Sequence, residues 1–109
     1  MSKLLNLVTE TLDNKKANDI VVVDFKRENS LCDFFVIADA PSLRQINAIA
    51  DDVIEALEKE GYAVKHVERE RESTWILIDA SDVVVHLFLT EERTHYNLEK
   101  LYQGYIIND

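Results

Sequence analysis

The apolar residues of this 109-residue chain repeat with two periods, one helical and one extended. A helix is predicted over about residues 2 to 15, because Leu4, Leu5, Val8 and Leu12 fall near helical spacing. A second helix is predicted after Pro41, with an apolar stripe formed by Ile46, Ile49, Ala50, Val53, Ile54 and Leu57. A capping box begins it at Ser42 and Gln45, and Gly61 is the residue expected just beyond its end.

Extended segments lie between and after these helices. Residues 20–25 are mostly β-branched and apolar at successive positions, which is typical of a strand buried on both faces. Residues 33–38 form the second predicted strand, after a polar loop at residues 26–30, and residues 62–67 form the third. Residues 75–88 have the pattern of a tight hairpin, and a last helix is predicted from Thr90, its expected N-cap.

The order of these elements predicts the fold class. A strand, a helix and a strand in succession imply a right-handed crossover and some parallel pairing. The chain is also long enough to bury one core. We therefore expect a single α/β domain over residues 1–109, with a mixed, roughly five-stranded sheet and flanking helices.

The predicted hairpin carries polar and aromatic residues where a purely structural hairpin would not need them. We expect Ala80 and Ser81 to be its two loop residues, so that Trp75 faces His86 across the strands. Because side chains alternate along a strand, one face then carries Trp75, Leu77, Asp79, Asp82, Val84 and His86. The opposite face is apolar and β-branched and is predicted to belong to the core; it carries Ile76, Ile78, Val83 and Val85.

These polar and aromatic residues also have plain structural interpretations. Trp75 and His86 are compatible with ordinary strand positions, and Asp79 and Asp82 with turn formation, since Asp side chains bond nearby backbone groups. The functional interpretation rests on their convergence on one face, where an indole and an imidazole combine apolar area with a polar group.

The last predicted helix repeats a polar pattern of its own. Arg93, Tyr96 and Glu99 recur every three residues and share one face, which is either solvated or in contact with a partner. The residues expected on another face, toward the core, are Leu98, Leu101 and Tyr105. Cys32, the single cysteine, is expected to be a small buried residue.

The charge of the chain narrows its choice of partner. The formal net charge is −9, which argues against broad binding to a phosphate backbone, since that needs clustered Lys and Arg. An acidic chain is instead steered toward positive protein surfaces. No apolar run approaches the length of a membrane span, and no signal or transit segment is evident, so we expect a cytoplasmic protein with no membrane partner.

Motifs for catalysis are missing from the sequence. A single cysteine excludes an intrachain disulfide and a thiolate metal cluster. Gly61 and Gly104 are the only glycines and cannot form a glycine-rich phosphate loop, while His66, His86 and His95 lack zinc-site spacing. We therefore expect no catalytic residue, no metal and no cofactor.

Two alternatives remain open from the residues alone. Asp79 and Asp82 could share a divalent metal in a remnant nucleotidyltransferase or phosphohydrolase, since paired carboxylates serve that chemistry. The face that carries Trp75 could instead join two copies of the chain in a bare dimerisation module.

An ordered set of short motifs resembles the ribosomal silencing factor family, also called Iojap-like proteins. The resemblance covers about residues 4–102, and no single element of it is specific. Its elements are residues 33–37, Ser42 with Arg44 and Gln45, residues 49–51, Val67-Glu68, Trp75 with Asp79, residues 82–86, and Arg93 with Tyr96, Leu98, Glu99 and Leu101. The chain departs from the family where Gly is usual, at Ala40, Arg69 and Ser81, and where Trp is usual, at Tyr102.

The resemblance implies a fold similar to nucleotidyltransferases without their catalytic motif. It also implies binding to large-subunit ribosomal protein fourteen, at the face of the large subunit that meets the small subunit. The bound factor would block subunit joining and lower translation when nutrients are short, and family members also form homodimers. The residues that we expect to bind the partner are Trp75, Asp79, His86, Arg93, Tyr96, Glu99 and Tyr102, with Glu68 and Glu70 as further charge partners.

Overall fold

The computed structural model describes residues 2–25, 32–70 and 72–107. The predicted polar loop at residues 26–30 lies outside the described residues. The helices are α1 (Lys3–Asn14), α2 (Leu43–Lys59), α3 (Thr90–Tyr96) and α4 (Leu98–Leu101). The strands are β1 (Asn18–Asp24), β2 (Phe34–Ala40), β3 (His66–Glu68), β4 (Trp75–Asp79), β5 (Val83–Leu89) and β6 (Ile106–Ile107).

One mixed sheet holds all six strands, in the order β3-β4-β5-β2-β1-β6. The central strands β2 and β5 run parallel, and the other neighbouring pairs are antiparallel. The predicted α/β class and mixed sheet are confirmed, and the two-residue β6 is the strand that the prediction lacked. None of the helices in the described part of the chain has the length and apolar character to cross a membrane.

The two long helices cover one face of the sheet. Their apolar stripes are buried against residues such as Ile76, Ile78 and Val85, whose side chains are fully buried. Burial of apolar surface stabilises this layer by about 25 cal/mol for each Å² that is removed from water. The helix α2 begins as predicted: the Ser42 Oγ accepts the backbone N–H of Gln45 at 3.1 Å. Gly61 lies just beyond its C-cap Glu60, as predicted, and has a φ of +85° that suits a residue without a Cβ.

The hairpin prediction was wrong by two residues in register. Asp79 pairs with Val84 and Trp75 with Phe88, and the Ala80 N–H donates to the Val83 carbonyl at 2.9 Å. The two loop residues are therefore Ser81 and Asp82. Ser81 has a φ of +74°, as tight hairpin turns require at the first loop position. A shift of two positions preserves alternation, so Trp75 and His86 still share one face and the predicted core face is unchanged.

The last helix was predicted as one piece, and the structure breaks it in two. Asn97 adopts a left-handed φ of +43°, which ends α3 at Tyr96 before α4 starts. Thr90 is the first helical residue rather than the N-cap, and its hydroxyl bonds to Asp39 instead of a backbone N–H. Leu101 is 72% exposed, so its predicted core position was also wrong, whereas Leu98 and Tyr105 are partly buried and pack against the core. The third strand is shorter than predicted and covers only His66–Glu68.

Candidate functional site

The second face of the sheet is lined by aromatic rings. We call it the aromatic face and define it by Phe35, Trp75, His86 and Phe88. These side chains come from the central strands β2, β4 and β5, because alternation points every second residue away from the long helices. The chain after β5 returns over this face, where Tyr96 and Tyr102 contact it.

The hydrogen bond between Trp75 and His86 fixes the middle of the aromatic face. The indole Nε1–H donates to His86 Nδ1 at 3.0 Å. An indole nitrogen can only donate, so the neutral His86 ring must carry its proton on Nε2. His86 is 4% exposed, and its Nε2 has no hydrogen-bond partner among the described residues. Burial lowers the pKa of His86 from 6.5 to about 4, which keeps the ring neutral near neutral pH.

Tyr96 places a partly exposed ring at the edge of this face. Its centroid lies 4.6 Å from that of Trp75 and 5.3 Å from that of Phe88, within the range of favourable aromatic pairs. Tyr96 is 41% exposed and Trp75 is half-buried. We call these two residues the contact patch, because a partner could cover them without moving the backbone.

Tyr102 lies at the far end of the same row of rings. Its ring makes edge-on contacts with Phe25 at 5.1 Å and with Phe35 at 5.4 Å between centroids. Phe35 in turn lies 4.5 Å from His86, whose ring contacts Trp75, so a row of rings along the aromatic face connects Tyr102 to the contact patch. Tyr102 itself is half-buried and does not adjoin Tyr96 directly in this row.

Arg93 is buried rather than facing solvent. Its Nη1 donates to Asp39 Oδ2 at 2.6 Å and its Nε donates to Glu99 Oε1 at 2.9 Å. Burial by itself would lower the pKa of Arg93, but the hydrogen bonds and charges of Glu99 and Asp39 outweigh it and raise the pKa. Arg93 and Glu99 are therefore close together, as expected for residues that share a face. They belong to different helices, however, and their hydrogen bond crosses the break between α3 and α4.

The carboxylates near the hairpin turn have local roles. Asp79 Oδ1 accepts the backbone N–H of Ser81 at 2.9 Å, which supports the turn interpretation. Asp79 is four residues from Trp75 along β4, a span of about 13 Å, so it lies outside the contact patch. Within the described ranges, no three His, Cys, Asp or Glu side chains are grouped to hold a metal ion.

Two acidic side chains lie at the edge of the sheet, away from the hairpin turn, because His66 pairs with Asp79 and the chain then runs past Leu77. Glu68, on the edge strand β3, is exposed and bonds to His66 Nε2 at 2.6 Å. Glu70 is exposed just after that strand. Both carboxylates can meet a basic partner.

Cys32 is buried, as predicted. Burial, together with the negative charge of nearby Asp79, raises the pKa of its thiol to about 11.

Sequence reasoning missed Asp39, which lies in the middle of this arrangement. Asp39 is 2% exposed and accepts hydrogen bonds from Thr90 and Arg93. The available signal was a carboxylate in the apolar strand β2, since a buried charge needs partners. Its partners could not be named because they lie more than 50 residues away along the chain.

Comparison with known proteins gives a consistent match. The family model described as "Ribosomal silencing factor during starvation" matches residues 1–108. The chain is 39% identical over 100 residues to the ribosomal silencing factor RsfS of Halalkalibacterium halodurans, covering 92% of this chain and 86% of the relative. It is 37% identical over 99 residues to the RsfS of Bacillus subtilis, covering 91% and 84%.

A crystal structure agrees with the sequence comparison. A protein from Chromobacterium violaceum superposes with a TM-score of 0.88 at 32% identity, covering 94% of this chain and 88% of that one.

Proposed function

Since the chain belongs to the ribosomal silencing factor family, a family of non-enzymatic factors, we propose that it binds the large ribosomal subunit through large-subunit ribosomal protein fourteen. The bound protein would sterically block the small subunit and so repress translation when nutrients are limiting. No bond is made or broken in this mechanism. We expect it to act in the cytoplasm.

The observation that carries the proposal is the contact patch. The rings of Tyr96 and Trp75 are in tilted contact at 4.6 Å between centroids, and 41% of Tyr96 remains exposed. Aromatic side chains of this kind, partly exposed and supported from beneath, dominate the energy of many protein interfaces. The ring is held by Trp75 and Phe88, so little conformational entropy would be lost on binding.

The predicted site residues divide into two groups by their burial. Direct contact is assigned to the exposed or half-exposed side chains, Trp75, Asp79, Tyr96, Glu99, Tyr102, Glu68 and Glu70. His86 and Arg93 are buried, and their role is to hold Trp75 and the α3–α4 segment in place.

The acidic character of the chain supports the choice of partner. With 21 acidic and 12 basic residues, the chain attracts a basic protein surface and repels bare phosphate backbone. A contact of this kind speeds association and weakens as salt rises, because screening acts on exposed charges first.

Sucrose-gradient sedimentation tests the proposal. Purified large and small subunits are mixed with the protein, and we expect it to migrate with the large subunit and to remove the joined peak. Tyr96→Ala should weaken binding by about 30-fold or more, the range of an interface hot spot, with an unchanged circular dichroism spectrum. Protein that stays at the top of the gradient, with joining intact, would refute the proposal.

Self-association through the contact patch is the second candidate, because the resemblance also implies a homodimer. A dimer formed by Trp75 and Tyr96 would compete with the subunit for the same surface. Light scattering of the free wild-type protein and of Tyr96→Ala tests self-association. A concentration-dependent dimer that the substitution dissociates would support competition for the contact patch. A monomer in both samples would exclude self-association.

A further inference from the structure

Asp39 is a carboxylate in an otherwise apolar strand. It lies near the end of β2, is 2% exposed, and pairs in register with Phe88 of β5. Alternation along β2 puts it on the same side of the sheet as Phe35 and Ile37, which is the aromatic face. A charge in this position needs strong partners, because its desolvation is costly.

Helix α3 supplies both partners. The Thr90 hydroxyl donates to Asp39 Oδ1 at 2.6 Å, and Arg93 Nη1 donates to Oδ2 at 2.6 Å. Thr90 and Arg93 are three residues apart and therefore lie on the same side of the helix. One carboxylate thus holds two successive turns of α3 with both of its oxygens.

Tyr96 is the next residue in the same row. It follows Arg93 by three positions, so its side chain projects only about 60° around the helix from the Arg93 side chain that Asp39 holds. The helix is seven residues long and has no side-chain N-cap bond, and helices of this length are not stable by themselves. Its orientation must therefore come from tertiary contacts, which include the two short Asp39 bonds and a longer bond from Arg93 Nη1 to the Asn18 carbonyl at 3.3 Å.

We infer that Asp39 is a positioning residue for partner recognition: it orients α3 so that Tyr96 stands over Trp75. The inference rests on the proposed function, because it assigns a role to a residue behind the contact patch. A buried ion pair is seldom more stabilising than apolar side chains of similar volume. The carboxylate of Asp39 therefore serves mainly to orient α3, and its contribution to the stability of the fold is secondary.

The sharpest test removes one hydrogen bond and keeps the shape of the side chain. Thr90→Val deletes the hydroxyl that bonds to Asp39, and Thr90→Ser is the matched variant that keeps it. Binding to purified large subunits should weaken about fivefold in Thr90→Val, the equivalent of one hydrogen bond, and Thr90→Ser should restore it. Asp39→Asn should weaken binding more than Thr90→Val does. If the Asp39→Asn variant does not fold, Thr90→Val remains the test of the inference.

A double-mutant cycle separates positioning from stability. If Thr90 and Asp39 act through Tyr96, then Thr90→Val should change affinity by less than about twofold in a Tyr96→Ala background. The fluorescence of Trp75, the single tryptophan, should shift in Thr90→Val when Tyr96 no longer covers the indole. An equal loss of affinity in both backgrounds, with unchanged emission, would overturn the inference and leave Asp39 a structural residue.

The inference and the proposed function fail in different ways. Wild-type protein that does not migrate with large subunits would overturn the proposed function. Wild-type affinity in Tyr96→Ala would overturn the contact patch and the positioning role but would leave subunit binding in place. Weakened binding in Tyr96→Ala with wild-type affinity in Thr90→Val would overturn the positioning role alone.

Discussion

Lowering the pH from about 7 to about 5 should destabilise the fold through His86. The ring is 4% exposed and accepts the Trp75 indole N–H at 3.0 Å. A protonated imidazole has N–H donors at both nitrogens, so the charged form loses this bond and also places a charge in the aromatic face. Both effects oppose protonation in the folded state.

The size of the effect follows from the pKa. Burial lowers the pKa of His86 from 6.5 to about 4 in the folded chain. Because the folded-state pKa is the lower one, the unfolded chain binds a proton between these values that the folded chain does not. The contribution of the neutral ring is fully present above pH 6.5 and is lost as the pH falls toward 4. The full loss is about 3 kcal/mol, of which roughly 2 kcal/mol is reached by pH 5.

Urea denaturation at the two pH values measures this loss. Carboxylates also titrate in the same range, so the relevant quantity is the difference in unfolding free energy between wild type and His86→Gln. That difference should shrink by roughly 2 kcal/mol from pH 7 to pH 5, a large part of a stability of about 5–15 kcal/mol. His95→Gln, whose side chain is 77% exposed, is the matched surface control.

A pH-independent difference between wild type and His86→Gln would refute the reasoning. Titration of the imidazole C–H signals of wild-type protein by nuclear magnetic resonance provides a second check that needs no variant. A His86 midpoint near its ordinary value of 6.5 would show that burial does not suppress protonation.

Two further predictions concern the hairpin turn and the surface charge. Ser81→Gly should raise the free energy of unfolding by about 1 kcal/mol, because φ at Ser81 is +74°, and Gly61→Ser at φ +85° should lower it by a similar amount in the same urea assay. Glu68→Lys should weaken binding to large subunits at low salt, whereas Glu58→Lys should not, because Glu58 is exposed on α2 at the other face of the sheet. Equal weakening by the two charge reversals would mean that net charge, and no particular edge of the sheet, attracts the partner.

Local patterns were sufficient for much of the fold. The stripes of α1 and α2, the Ser42 cap and the Gly61 end were predicted because each depends on residues within a few positions of one another. The faces of the hairpin were also predicted, although its register was wrong, because a shift of two residues leaves alternation intact. The family was recognised from an ordered set of motifs, and the comparisons confirm it together with the absence of an enzymatic role.

The sequence also indicated part of the candidate site. Trp75 and His86 were placed on one face, and the structure joins them through a hydrogen bond. Tyr96 was predicted to share a face with Arg93 and Glu99 on one helix. The helix instead breaks at Asn97, whose left-handed backbone no periodicity argument could reveal.

The sequence alone was therefore enough to predict the two long helices, the buried face of the sheet and the family. Which polar residues point inward became clear only from the way the elements pack together. Arg93 looks like a surface residue in the sequence, and Asp39 looks like an isolated charge in a strand, yet the two form a buried ion pair across 54 positions. Periodicity reports burial within one element, whereas a buried ion pair depends on how two elements pack, and that is settled only when the chain folds.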